Sequence, residues 1–281
     1  MTKIVITSDL HLGITTTAEL STLVSSIAAE EPDLTVLAGD IAEGLPNFVT
    51  CLKLFAQLPG DVAILAGNHD VWARANYASQ ELWERHLPRA VQATGMLWLE
   101  ETVWQREGVA VAGSLAWYDY SAVDATIPSY PPAVFVERKG WYNADAKYVR
   151  WPWSDQEFAA KLGDALCERL RGLEADPGVR NVLVVSHVPL VEEQMYRKPY
   201  DPRWGFSNAY FGNLTLGQRV LAMSKLRAIV SGHTHVRREG LVKRPGFPKE
   251  PAVVVSVLAS DYHAPLYRVI DTTRLASNGS R

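Results

Sequence analysis

Apolar positions along this chain come in short blocks that end in polar residues, and the blocks alternate between two periods. Ile4-Val5-Ile6-Thr7 is a β-branched run that predicts a buried strand. From Thr17 to Glu30, Leu20, Leu23, Val24 and Ile27 fall on one helical face, and Pro32 is expected to end that helix. Asp33 to Ala38 reads as a second strand and about Leu45 to Gln57 as a second helix. Val62 to Ala66, entered through Pro59-Gly60, reads as a third strand. Strand, helix and strand in this order predict right-handed parallel crossovers, which bring the strand ends to one edge of a sheet, where open α/β sheets bind ligands.

Beyond residue 70 the pattern loosens. Trp98 to Gln105 and Val109 to Gly113 read as adjacent strands joined across Glu107-Gly108. Ten of the 27 aromatic residues then fall within the 37 positions from Trp117 to Trp153, where Pro128, Pro131, Pro132 and Pro152 are expected to break any long element. Such density predicts an ordered insertion at about 114–154, either an apolar cluster covering a sheet edge or a lid whose rings reach substrate. A second aromatic loop is expected at about 188–215. Regular elements resume with a helix over Asp155 to Leu173, a strand over Asn181 to Ser186, a helix over Leu216 to Leu226 and a strand over Ala228 to Ser231. Strands near Ala252 to Leu258 and Leu266 to Ile270 are expected to add antiparallel pairing to a second sheet. Ala276 to Arg281 are expected to fray.

Composition narrows the class. A chain of 281 residues, 47% hydrophobic, can bury a full core, and without a linker-like stretch it reads as a single domain over 1–281. A net charge of -3 without large basic tracts argues against an extended nucleic-acid surface. Only Cys51 and Cys167 are present, so a disulfide framework is not expected and a reducing compartment is. Met-Thr-Lys leads directly into a strand, with no secretory signal pattern, and no apolar run reaches the roughly 18 residues that cross a bilayer. These features predict a cytoplasmic protein with no membrane partner; they leave oligomeric state open.

The polar ends of the apolar blocks carry the chemistry. They present Asp9 and His11, Asp40, Asn68 and His69, His187, and His233 and His235, so that five of the seven histidines follow apolar strands directly. A lone histidine is usually a hydrogen-bonded structural residue, but five on one sheet edge point to metal ligation. In extended backbone, residues i and i+2 face the same way, so Asp9 and His11 are expected to converge. His86 and His263 keep the structural reading.

In order, Asp9-Leu10-His11, Gly39-Asp40, Gly67-Asn68-His69-Asp70, His187 and Gly232-His233-Thr234-His235 resemble the blocks of the calcineurin-like metallophosphoesterase superfamily. The resemblance implies an α/β fold in which a two-sheet β-sandwich is flanked by helices, with a two-metal site at the strand ends. It further implies one ion held by Asp9, His11, Asp40 and His235 and another by Asp40, Asn68, His187 and His233, with Asp40 bridging. Mixed imidazole and oxygen ligands suit manganese, iron or zinc rather than calcium or magnesium, and two divalent or mixed-valence transition-metal ions are expected, with manganese or iron named first. An amide at Asn68 keeps two divalent ions and two ligand carboxylates at about +2, ready for anionic groups. By the same resemblance His69 is the catalytic acid rather than a ligand, while a hydroxide bridging the metals attacks phosphorus in line with the departing alkoxide. Glu43 is the favoured carboxylate partner of His69 and Asp70 the second choice. Gly39 and Gly67 read either as close-approach positions or as ordinary turn glycines.

The expected function is metal-dependent hydrolysis of a phosphoester small molecule. A phosphodiester, and among these a nucleotide, is favoured because the Gly-Asn-His-Asp block is similar to that of bacterial cyclic-nucleotide phosphodiesterases of the superfamily. Aromatic loops could stack a base for roughly 1 to 3 kcal/mol per contact. The alternatives are a phosphomonoesterase, including a protein phosphatase, and a binding scaffold that has lost catalysis. Retention of every ligand block and of His69 speaks against the scaffold.

Overall fold

The computed structural model describes residues 2–74, 77–244 and 246–272, so the terminus expected to fray lies outside the described residues. Among the described residues, eleven strands form two sheets. In the first, β1 (Lys3–Thr7), β2 (Leu34–Ala38), β3 (Asp61–Leu65) and the short β4 (Leu97–Trp98) run parallel, and β11 (Tyr267–Asp271) lies antiparallel beside β1. In the second, β6 (Val109–Ser114), β7 (Asn181–Ser186), β8 (Leu226–Ser231) and β10 (Val253–Val257) run parallel. Antiparallel strands β5 (Val103–Arg106) and β9 (Arg238–Val242) close its edges.

Alternating side chains explain why these strands read as unbroken apolar runs. Ile4 and Ile6 point between the sheets, into a cluster with Val36, Leu65, Val111, Val185 and Val230. Val5 points the other way, toward Leu20 and Ile27 of the helix Thr17–Ala28 and Phe48 and Leu52 of the helix Leu45–Phe55. On the far side, Leu166 and Leu170 of the helix Asp155–Ala175 cover Val182 and Val184. The layers are therefore helix, sheet, sheet, helix, and complete burial of each Val, Leu or Ile contributes about 1.5–3 kcal/mol. The parallel strands all point their C-terminal ends to one rim. None of the described helices is long and apolar enough to cross a membrane, and Cys51 and Cys167 are both free and buried.

Several elements differ from the sequence reading for physical reasons. Trp98 to Gln105 is not one strand: β4 pairs with β3 in the first sheet, the chain turns, and β5 belongs to the second. Glu100, buried in that turn, accepts backbone N–H bonds from Ala66 and Leu115, one beyond β3 and the other beyond β6. The helix expected over Leu216 to Leu226 runs Leu214–Leu221, because Asn213 caps it by accepting Leu216 N–H and Leu226 already belongs to β8. The first helix ends at Ala28, ahead of Pro32, and Glu31 adopts φ +50°. The tail strands part company: β10 is parallel to β8, while β11 pairs antiparallel with β1 and covers an edge of the first sheet. Helical turns over Ser79–Glu81, Leu82–His86 and Leu87–Ala93 occupy a stretch for which no element was expected, although Trp83, Leu87, Ala90 and Val91 are helically spaced.

Prolines in the first aromatic insertion do not prevent a helix. Pro132 occupies the first position of Pro132–Tyr142, where the missing N–H costs nothing. Trp117, Tyr118, Tyr120 and Phe135 are buried with Phe206 and Tyr210 of the second insertion, so the two stretches pack on each other and on the helices of the first sheet.

Candidate metal centre

The functional side chains leave the rim of strand ends through strained backbone. Asp9, His11, Asp40, His233 and His235 all have positive φ, between +44° and +72°. Non-glycine residues pay for such conformations, and they persist only where surrounding structure enforces them. The loops enforce them by mutual hydrogen bonds: Asp9 N–H to Gly39 O at 3.0 Å, His11 N–H to Asp40 O at 2.9 Å, and Gly232 N–H to His187 O at 3.0 Å. Asp9 and His11 therefore converge through left-handed turns beyond β1, not through the extended alternation expected from the sequence.

Two clusters result. Asp9, His11 and His235 bring one donor atom each to a common point, and Asp40, His187 and His233 do the same beside it. Asp40 lies between them: Oδ1 is 3.4 Å from His187 Nε2 and Oδ2 is 3.5 Å from His11 Nε2. Asn68 Oδ1 stands 3.1 Å from both His187 Nε2 and His233 Nδ1. Every residue of the two expected ligand sets is thus brought together.

The outer ring nitrogens show which way each imidazole is aimed. His187 Nδ1 is 3.0 Å from Ala38 O, His233 Nε2 is 3.2 Å from Tyr210 O, His11 Nδ1 is 3.2 Å from Glu43 Oε1, and His235 Nδ1 is 3.4 Å from Asp261 Oδ1. Each ring is held from outside by a carbonyl or carboxylate, the arrangement that orients histidine ligands, and its other nitrogen faces the centre. His11 Nε2 is buried there without a hydrogen-bond partner among the described residues. Such an orphaned atom, among carboxylate and amide oxygens, fits a cation. Glu43, His11 and His69 also cluster, but Glu43 addresses the outer nitrogens of both rings, which marks it as a support rather than as part of a third ion site.

Electrostatics favour positive charge. Burial opposes ionisation of Asp40, yet the rings of His187, His69 and His11 hold its carboxyl well below the usual range. Asp9 is likewise lowered against burial, by His235 and His187. Burial works against a charged His187, but Asp40 and Asp9 lift it to about 9, and against burial Asp9 lifts His235 to about 9. His233, between burial and His187, falls to about 4. Two buried carboxylates thus form a well of negative potential.

His69 stands apart from the ligand rings. Its Nδ1 lies 2.7 Å from Glu43 Oε1, its Nε2 points toward Asp40 Oδ2 at 4.0 Å, and its ring stacks on Trp72 at 3.7 Å. Burial would lower its pKa, but Asp40 and Glu43 outweigh that and raise it. Asp70, the second expected partner, is committed elsewhere: its carboxylate accepts N–H bonds from Ile41, Ala42 and Gly67, bracing the loops behind the centre. Two motif glycines answer to contact rather than to turn type alone. A Cβ on Gly67 would stand 2.1 Å from Asp40 Oδ1, and one on Gly39, at φ +86°, would stand 2.5 Å from His187 Nδ1.

Sequence reasoning missed several participants. Asp145 accepts from Asn68 Nδ2, Trp72 Nε1 and Tyr118 OH; Tyr262, 43% exposed, places its ring 5.0 Å from His11 and 5.4 Å from His235. Asp145 lies within a loop insertion, away from the parallel strand ends that found the others, and Tyr262 follows β10 by five residues but is neither a histidine nor a carboxylate.

A family model described as calcineurin-like phosphoesterase matches residues 2–237. No curated protein matches the chain. Among solved structures it is similar to phosphopantetheinyl hydrolase (PptH) from Mycobacterium tuberculosis, with a TM-score of 0.70 and 19% identity over 93% of this chain and 90% of that one. It is also similar to a dimetal phosphatase from Danio rerio (TM-score 0.53, 15% identity, 95% and 91% covered). A third is the protein TT1561 of Thermus thermophilus (TM-score 0.53, 13% identity, 98% and 96% covered). At these identities the likenesses show the fold.

Proposed function

Because the chain belongs to the calcineurin-like phosphoesterase family and is thereby a dinuclear metal-dependent hydrolase, we propose that it cleaves a phosphodiester, a nucleotide being one candidate. The observation that carries this reading is the convergence of Asp9, His11, Asn68, His187, His233 and His235 about Asp40, with His69 aimed at the same point. Asp9, His11, Asp40 and His235 would hold one ion and Asp40, Asn68, His187 and His233 the other; manganese, iron or zinc suits these mixed imidazole and oxygen donors, and manganese or iron is the proposal. Bound there, two such ions supply Lewis-acid polarisation of phosphoryl oxygens and acidify water toward neutral pH.

The chain's own residues do the rest. Asp40 is oriented by the backbone N–H of His69, which donates to Oδ1 at 2.8 Å. His69 is anchored through Nδ1, so Nε2 is the atom free to hold a proton and deliver it to the leaving oxygen. Burial of Asp9, His11 and His187 excludes bulk water from the ligand side and strengthens every charge interaction there.

One feature of the site supports a diester. Tyr262 presents an exposed ring beside His11 and His235, a surface for an organic substituent. The name of the Mycobacterium tuberculosis neighbour agrees, because a phosphopantetheinyl group joined to a second alcohol through its phosphate is a phosphodiester. The Danio rerio neighbour, a phosphatase, keeps monoester hydrolysis as the second reading. Turnover of bis-p-nitrophenyl phosphate against p-nitrophenyl phosphate, after chelation and manganese add-back, separates the two. Faster cleavage of the diester is expected, and a preference for the monoester overturns the proposal.

A further inference from the structure

A heavily used buried carboxylate outside the ligand set belongs to the first aromatic insertion. Asp145 is fully buried, and its oxygens take three side-chain donors: Asn68 Nδ2 at 2.9 Å, Trp72 Nε1 at 2.6 Å and Tyr118 OH at 2.8 Å. It is itself fixed, its N–H donating to Asn143 Oδ1 at 2.7 Å at the start of the short helix Asp145–Tyr148. Tyr148, at the other end of that helix, stacks on Trp72 at 4.5 Å and accepts the backbone N–H of Ala73 at 2.7 Å.

We propose that Asp145 is a positioning residue of the metal centre, which locks the Asn68 amide with Oδ1 toward His187 and His233 and sets the indole plane on which His69 stacks. The inference rests on Asn68 being a metal ligand, as read above. An amide has a donor end and an acceptor end, and only one orientation works here. Were Asn68 flipped, its oxygen would face the oxygen of Asp145 and its NH2 would face the centre, where cations need an acceptor. The same Oδ1 that takes the amide takes the Trp72 indole, so a single buried atom aligns a ligand and the stacking partner of the acid. Seventy-seven positions separate Asp145 from Asn68, so the pairing exists only in the folded chain. It also gives the aromatic density a purpose: Trp72 and Tyr118 supply N–H and O–H donors to a buried carboxylate as well as apolar area.

The test compares the full-length protein with Asp145→Asn, with the reciprocal double variant Asp145→Asn/Asn68→Asp, and with Trp72→Phe. Manganese bound per chain is measured by equilibrium dialysis, steady-state rates on bis-p-nitrophenyl phosphate are recorded, and the Tm of each metal-free protein is determined. Asp145→Asn is expected to weaken one of two manganese sites by about ten- to a hundred-fold while sparing the other, the usual scale for losing a ligand's supporting partner. The double variant, in which the amide at 145 donates to a carboxylate at 68, is expected to regain at least about tenfold of that affinity while kcat stays low, because the Trp72 indole N–H then faces an NH2 in place of Oδ1. Trp72→Phe is expected to keep both ions yet lower kcat more than it alters KM. Two undisturbed sites in Asp145→Asn overturn the inference and leave the proposed function standing. So does a drop in metal-free Tm with no recovery of metal in the double variant, since that marks a purely structural role. Wild-type protein that takes up none of manganese, iron and zinc overturns both.

Discussion

One oxygen of Glu43 addresses two imidazoles, 2.7 Å from His69 Nδ1 and 3.2 Å from His11 Nδ1. Burial would raise the pKa of Glu43, but these rings and Arg74 bring it to about 2. Glu43→Gln keeps the shape and removes a charge that, together with Asp40, raises the pKa of His69. Turnover of bis-p-nitrophenyl phosphate is expected to fall about ten- to a hundred-fold, with both metals retained by elemental analysis. Wild-type kcat in this variant would dismiss Glu43 as the support of the acid.

His69 and Asp40 are separable by what their loss removes. His69→Asn should leave metal content intact while kcat drops about 10²- to 10⁴-fold, the scale of lost general-acid catalysis. Asp40→Asn should lose metal as well, because both clusters lean on its carboxylate. Elemental analysis beside kinetics distinguishes them, and full turnover in His69→Asn removes that residue from the mechanism.

Gly67→Ala probes contact rather than chemistry. The added methyl would meet the backbone N and the Oδ1 of Asp40, each at 2.1 Å, and neither is the yielding end of a flexible chain. Displacement of Asp40 is expected to cost metal affinity and also stability, by about 1–3 kcal/mol for forced overpacking. Metal titration with thermal melts checks this; a variant with normal metal binding and Tm would show that the loop yields freely.

Glu100, which joins the two sheets, gives a pH signature away from the centre. Burial pushes its carboxyl up to about 7 despite Arg169 and the N–H of Leu115. Between its ordinary unfolded value of 4.5 and that folded value, the native state keeps a proton that the unfolded chain has lost. Its contribution to stability therefore falls as pH rises through this window and levels off above it. Glu100→Gln retains an acceptor without titrating. Its Tm relative to wild type should rise from about pH 5 to about pH 8, the gap reaching at most about 3 kcal/mol. A constant gap would mean that burial does not shift this group.

Much of the fold and most of the centre were legible because both depend on short-range pattern. Asp9, Asp40, Asn68, His187 and His233 each stand within three residues of the end of a β-branched run, and parallel crossovers carry such ends to one rim. Where the reading failed, distant groups intervened. Trp98 and Val103 look like parts of one strand until Glu100 caps two sheets at once. Pro131-Pro132 looks like a breaker until the chain places Pro132 at a helix start.

The order of apolar runs and polar ends determined the strand, helix, strand crossovers and the histidines and carboxylates at their ends, and the resemblance of the motif blocks supplied the two-sheet layering. Secondary structure and strand direction follow from side-chain period and chain connectivity. Tertiary structure alone decided that Asp9, His11, Asp40, His233 and His235 would adopt left-handed backbone, that Glu43 rather than Asp70 would hold His69, and that Asp145 would orient Asn68. These are choices among partners remote in sequence, made by burial that leaves each polar atom few groups within reach, and no local pattern records them.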